Sequence, residues 1–188
     1  ETVTSDPSNP ANGQVWYNST DQKLRGNAQL TAGAFASTNS LNTAHGGAAC
    51  TNQGTQTSAL AFGGRTPSTT RISDNESWNG SSWTEVGNLN AARRGVTMFG
   101  NDSSSAFCTG GGSSAANEFW NGTAWTEIAD LNTSRRSAGS GGTQTSGLVF
   151  GGEGNRSITE LWNGSTWAET TDLNVARGYN AGTGTSNT

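Results

Sequence analysis

Residues 118–127 read Glu118-Phe119-Trp120-Asn121-Gly122-Thr123-Ala124-Trp125-Thr126-Glu127. The same pattern stands at 76–85, from Glu76 through Trp78 and Trp83 to Glu85. It stands again at 160–169, from Glu160 through Trp162 and Trp167 to Glu169. Trp78, Trp120 and Trp162 lie 42 residues apart. Each block is followed by Leu-Asn-x-x-Arg, ending at Arg93, Arg135 and Arg177. Each is preceded by a short apolar stretch and a glycine pair: Gly63-Gly64, Gly110-Gly111 and Gly151-Gly152. Agreement at so many positions with one fixed period identifies an internal repeat.

The repeat reads as strands. Asn-Gly readily takes the positive φ values of a two-residue hairpin, so each Trp-Asn-Gly is expected to join a strand ending at the first Trp to one starting near the second. The glycine pair ends an earlier strand where a Cβ would obstruct the reversal of the chain. The stretch after Leu-Asn-x-x-Arg, for example 95–100, is small and tolerates a strand. This makes about four short strands in 42 residues, with no helical periodicity. The fold class expected is all-β, built from four-stranded antiparallel units.

A glycine pair, an aromatic about ten residues on, a Trp five or six later and then an Arg resemble the kelch repeat. Gly151-Gly152, Trp162, Trp167 and Arg177 carry the likeness, with counterparts in the two preceding units. The units are shorter than the usual kelch length of ~50, and Trp-Asn stands where Tyr-Asp is common. The resemblance spans 41–188 and implies a kelch-like β-propeller or partial propeller, divided into 41–88, 89–130, 131–172 and a partial unit 173–188. It also implies that Trp78, Trp83, Trp120, Trp125, Trp162 and Trp167, with the six glycines, form the structural core, Trp83, Trp125 and Trp167 lying between blades. The recurring Glu85, Glu127 and Glu169 are expected to pair with Arg93, Arg135 and Arg177 near the blade junctions. Propellers use four to eight blades, so closure has three routes: a longer chain or a partner, a fourth unit made from 14–25 with 173–188, or an open stack.

Residues 1–40 form a separate N-terminal attachment segment. Val15-Trp16-Tyr17, a turn at 18–22 and Lys23-Leu24-Arg25 read as a β-hairpin within 14–25. From Asp6 and Pro7 to Trp16-Tyr17-Asn18 and Arg25, the segment resembles a short module of tailed-phage virion proteins, where it leads into tail-fibre or other particle-surface domains. What this implies is a virion structural protein that makes host contacts.

Composition narrows the function. Of 188 residues 27 are glycine, about twice the usual share of ~7%, while charged residues are only 13%. Seven Trp and six Phe supply large surfaces to bury, which argues against a disordered chain. The net charge is −4 and Lys23 is the sole lysine. Nucleic-acid binding is therefore disfavoured, and no apolar run is long enough to span a bilayer as a helix. The two cysteines, Cys50 and Cys108, fall in strands of adjacent units and could approach each other, with two small buried thiols the first expectation. Of eight Asn-x-Ser/Thr sequons, those at Asn79, Asn121 and Asn163 fall within the repeated turn.

The usual chemical sites find little support. His45, the single histidine, occupies the slot of Arg93, Arg135 and Arg177. With two distant cysteines it cannot supply a metal site of ordinary ligand count, so no metal and no cofactor are expected. Galactose-oxidase-like enzymes share the kelch fold, but their copper ligands would need more than Tyr17, Tyr179 and His45. Gly164-Ser165-Thr166-Trp167 resembles the end of a sialidase Asp-box, yet Trp162 stands where the Asp belongs. Asp74, Asp102 and Glu153 are the carboxylates outside the repeat frame that a glycosidase would need, though each falls in a polar loop where solvation is the default.

Repeat proteins place function where the units differ. The first unit is longer at 65–75, which carries Arg65, Arg71 and Asp74; with Glu153 and Arg156 these are the candidate binding residues. The expected function is non-enzymatic: a virion-surface subunit, as in a tail fibre or capsid decoration, presenting polar loops for host attachment. Its partners would be other virion subunits, copies of itself in a homo-oligomer, and host-surface carbohydrate as a ligand. A secreted bacterial adhesin of the same fold, and more remotely a carbohydrate-active propeller enzyme, are the alternatives.

Overall fold

The computed structural model describes residues 2–6, 8, 15–26, 39–51, 54–182 and 184, and all of its regular elements are strands. Pro7, Pro10, Gln14, the last residues of 173–188 and the side chain of Asp102 lie outside what is described. Contacts divide the chain into two units, 1–37 and 38–188.

In the first unit β2 (Val15–Asn18) and β3 (Lys23–Gly26) form an antiparallel hairpin with Asn18 opposite Lys23, and β1 (Thr2–Val3) adds in parallel to β2. Asp6 ties this unit together by accepting from Trp16 Nε1 at 3.0 Å and Asn18 Nδ2 at 2.8 Å.

The second unit holds three four-stranded antiparallel sheets, each in simple chain order. The first is β4 (Ala49–Cys50), β5 (Ala59–Phe62), β6 (Asn75–Trp78) and β7 (Trp83–Glu85). The second is β8 (Thr97–Asp102), β9 (Ser105–Thr109), β10 (Asn117–Trp120) and β11 (Trp125–Ile128). The third is β12 (Gly139–Thr143), β13 (Ser146–Phe150), β14 (Thr159–Trp162) and β15 (Trp167–Glu169). An all-β architecture of repeated four-stranded units is thus what the 42-residue period encodes.

Local chemistry explains the strand ends. All six paired glycines take positive φ, from +61° at Gly63 to +127° at Gly152. A Cβ on Gly110 would stand 2.3 Å from the carbonyl of Arg135, so a larger residue would collide with the neighbouring segment. The Trp-to-Trp turn differs from the expected two-residue hairpin. Trp78 pairs with Trp83 across a four-residue loop, Asn79–Ser82. Asn79 Oδ1 accepts from the backbone of Ser81 and Ser82, each at 2.9 Å, and Gly80 alone takes the positive φ. The side chain of Asn79 makes the turn together with its backbone N–H, which donates to Ser82 O at 3.3 Å. Asn121 and Asn163 repeat the arrangement.

Two hydrophobic layers lie between successive sheets. Between the first and second, Trp125 meets Phe62 edge-on at 4.8 Å; between the second and third, Trp167 meets Phe99 at 6.0 Å and Trp162 meets Phe107 at 5.9 Å. Trp125 and Trp167 are buried, as are Trp78, Trp120 and Trp162. Trp83 differs: it is half-buried, because no sheet of this unit precedes the first one to supply a ring against it. The first Trp of each unit anchors its indole to a loop carbonyl at 2.9 Å, namely Gln56, Ser103 and Gln144.

Candidate functional site

The repeated Leu-Asn-x-x-Arg segment is a lock between sheets. Leu89 N donates to Ser73 O and Gly64 N donates to Arg93 O, which tie the segment to the first sheet. Its polar side chains turn to the second sheet. There the backbone N–H and Nδ2 of Asn90 donate to Glu118 Oε2 at 2.8 and 2.9 Å, and Arg93 Nη2 donates to Glu118 Oε1. Arg93 Nη1 also reaches the carbonyls of Gly110 and Ala116. In the third sheet Asn132 and Arg135 hold Glu160 in the same way. Burial pushes the Arg135 guanidinium below its usual range, and the charge of Glu160 opposes that shift.

This corrects the expected pairing. Glu85, Glu127 and Glu169 are exposed on the edge strands, and the carboxylates that meet the arginines are Glu118 and Glu160, all but inaccessible to solvent. Glu76 holds the same place in the first sheet but faces a histidine. Asn42 and Thr43 donate to it, while His45 Nε2 stands 3.6 Å from Oε1 and its Nδ1 contacts Gly63 O at 2.7 Å. The fourth segment, 173–177, binds the third sheet through Leu173 N to Ser157 O and Gly152 N to Arg177 O, yet Arg177 itself is exposed.

A buried carboxylate needs donors such as these to offset the cost of leaving water. The groups open to a ligand lie elsewhere, at the sheet end where the residue after each glycine pair meets the residue after each arginine slot. Arg65 N donates to Gly46 O, Gly112 N to Arg94 O and Glu153 N to Arg136 O, at 2.8–3.0 Å. Arg65, Arg94, Arg136, Glu153 and Tyr179 together line a cavity of about 320 Å³. Arg136 grips Glu153 through Nε and Nη2, one oxygen each. Those bonds, with further help from Tyr179 and Arg94, hold the Glu153 carboxyl below its usual range.

Of the candidate binding residues, Arg65 and Glu153 meet in this cavity. Arg156 shares an adjoining hollow with Glu153, bordered by Gly112, over which the Arg71 guanidinium lies. Asp74 lines neither; its carbonyl receives Gly63 N. Arg94, Arg136 and Tyr179 were not singled out in the sequence. The signal was there, since the slot after the repeated arginine is Gly46, Arg94, Arg136 and Gly178, a position where the units differ.

Cys108 is buried and its thiol is pushed up to about 12, chiefly by burial. Cys50 departs from expectation in being exposed, because β4 is a two-residue edge strand. Among the described residues no group of three or more His, Cys, Asp or Glu is placed to hold a metal ion. No family model matches the chain, and no curated protein matches it in sequence.

Proposed function

We propose that this chain is a non-enzymatic structural and binding component of a phage virion surface, its sheets standing as blades of a kelch-like propeller or part of one. The observation that carries the reading is the recurring lock. Asn90–Arg93 on Glu118 and Asn132–Arg135 on Glu160 bond successive sheets in one fixed relation, which suits a rigid spacer better than a moving catalyst. A second support is the inner edge of the sheets: residues of β4, β8 and β12 and the segment 180–182 line one hollow, as strands around an axis would. The kelch-like motifs and the phage-like N-terminal segment supply the rest of the reading.

Function then resides in the loops that this frame presents. On a symmetric particle many weak contacts add by multivalency, so a shallow polar site suffices for attachment. Val175, exposed at 60%, and the uncovered Arg177 lie at the far side of the third sheet. They are where a further subunit, or a second copy, would continue the stack. A glycosidase needs two carboxylates facing one space. Glu153 is the one acidic side chain lining the 320 Å³ cavity, and Arg136 engages both of its oxygens.

Immunogold electron microscopy of purified particles tests the proposal. Antibody to this chain should decorate the tail or capsid exterior. Label confined to bacterial envelopes would favour the secreted adhesin instead, and sugar turnover by the isolated chain would favour the enzyme.

A further inference from the structure

The cavity that joins Arg65, Arg94, Arg136, Glu153 and Tyr179 is unbalanced in charge. Three arginines and one glutamate line it, in a chain whose net charge is −4. Glu153 is committed to Arg136, which engages both of its oxygens. Arg136 is further held by a bond from Nη1 to Gly112 O at 3.3 Å. Two cationic forks, Arg65 and Arg94, therefore face the cavity without a carboxylate of their own along its wall. Arginine presents a planar set of donors that matches a carboxylate two bonds at a time.

The remaining walls suit a sugar ring. Tyr179 is 74% exposed and offers a broad apolar face on the same cavity wall as Glu153. Gly46, Gly47 and Gly95 form part of the rim. At Gly47 an added Cβ would touch nothing within 4 Å, so the space above that backbone is open to a ligand. A volume of about 320 Å³ lies at the small end of ligand cavities, ample for one or two pyranose rings and too small for a folded partner.

We propose that this cavity binds the carboxylate of an acidic sugar residue, a uronic or sialic acid at the surface of a glycan. Arg65 and Arg94 clamp the carboxylate, Tyr179 covers one face of the ring, and the Arg136–Glu153 pair forms the remaining polar wall. The assignment deepens the attachment role proposed above and names its ligand class, so it rests on that reading for biological meaning but not for its test.

The test is titration of the isolated chain, by NMR or calorimetry, with glucuronic acid and N-acetylneuraminic acid. Glucose, inorganic phosphate and an oligo-glutamate peptide serve as comparisons. At least one acidic sugar should bind, weakly as monosaccharides do, and glucose should not. Arg65→Met and Arg94→Met should each weaken it by about tenfold or more, the loss of one charge-assisted clamp. Tyr179→Ala should weaken the acidic sugar severalfold and leave phosphate unchanged, and 0.5 M salt should weaken every anion by screening. Arg65 and Tyr179 are exposed and Arg94 is partly so, and unchanged circular dichroism would show that the variants fold. Phosphate or the peptide binding as tightly as the sugars, with Tyr179→Ala silent, would overturn the sugar assignment. Absence of binding by any acidic sugar would overturn the site. Neither result touches the particle labelling that tests the attachment role, so the two failures are distinguishable.

Discussion

Replacing Glu118 with Gln keeps the shape of a buried side chain and removes its charge, while the same change at Glu76 does so in a different setting. Glu118 is about 1% exposed, and its Oε1 faces Arg93, itself 4% exposed. Glu118→Gln leaves that guanidinium buried without a counter-charge, and the new amide must also point N–H toward either Arg93 or the two donors of Asn90. Breaking one side of a buried ion pair costs about 3–5 kcal/mol. At Glu76 the donors are Asn42 and Thr43, a histidine ring stands 3.6 Å away without bonding it, and there is no arginine. Glu76→Gln therefore loses one buried acceptor, about 1–3 kcal/mol. Urea denaturation followed by tryptophan fluorescence should rank Glu118→Gln well below Glu76→Gln. A double variant, Arg93→Met with Glu118→Met, should recover part of the loss, since an apolar pair of similar volume leaves no orphaned charge. Equal losses for the two single changes, or less than about 1 kcal/mol at Glu118, would refute the lock as the source of stability.

Three further outcomes follow from the same structure. His45→Arg should stabilise the protein by about 1 kcal/mol in the same denaturation assay, because it would restore the guanidinium that bonds the glutamate and the glycine-pair carbonyl in the next unit; a loss would show that the first slot has repacked around imidazole. Ellman's reagent should modify Cys50 alone in the native protein and both thiols in denaturant, since Cys108 is buried with its thiol pushed up to about 12. Glu153 is held below its ordinary range chiefly by Arg136, so the stabilisation it brings is present above the unfolded carboxyl pKa and is lost as pH falls through the depressed one. Carboxyl-carbon NMR should accordingly show Glu153 titrating at higher pH in Arg136→Met than in the native chain.

The sheets were legible because each signal was local and repeated: the paired glycines, the Trp-to-Trp hairpin and the apolar stretch before them all recur at one period. What escaped needed strand order. Glu76 and Glu85 are cross-strand partners, Cα opposite Cα, as are Glu118 and Glu127. No periodicity separates two acids on one face. Position in the sheet does: β6 lies inside its sheet under Asn42 and His45, and β10 under Asn90 and Arg93, while β7 and β11 are edges. The turn departs from the two-residue hairpin for another reason, since Asn79 works through its side chain and lengthens the loop to four residues. Arg65 and Glu153 could be picked out as unit-to-unit differences, but their meeting with Arg94, Arg136 and Tyr179 joins residues from every part of the repeat region, which only the folded arrangement reveals.

Fluorine NMR of the chain labelled with 5-fluorotryptophan, recorded in light and heavy water, addresses the repeat tryptophans one by one through single Trp→Phe assignments. Trp125 and Trp167, set against Phe62 and Phe99 between sheets, should show almost no solvent isotope shift, and Trp83 should show a clear one. Comparable shifts at all three positions would mean that the second Trp of each unit faces water, and the stacked-sheet account would fail.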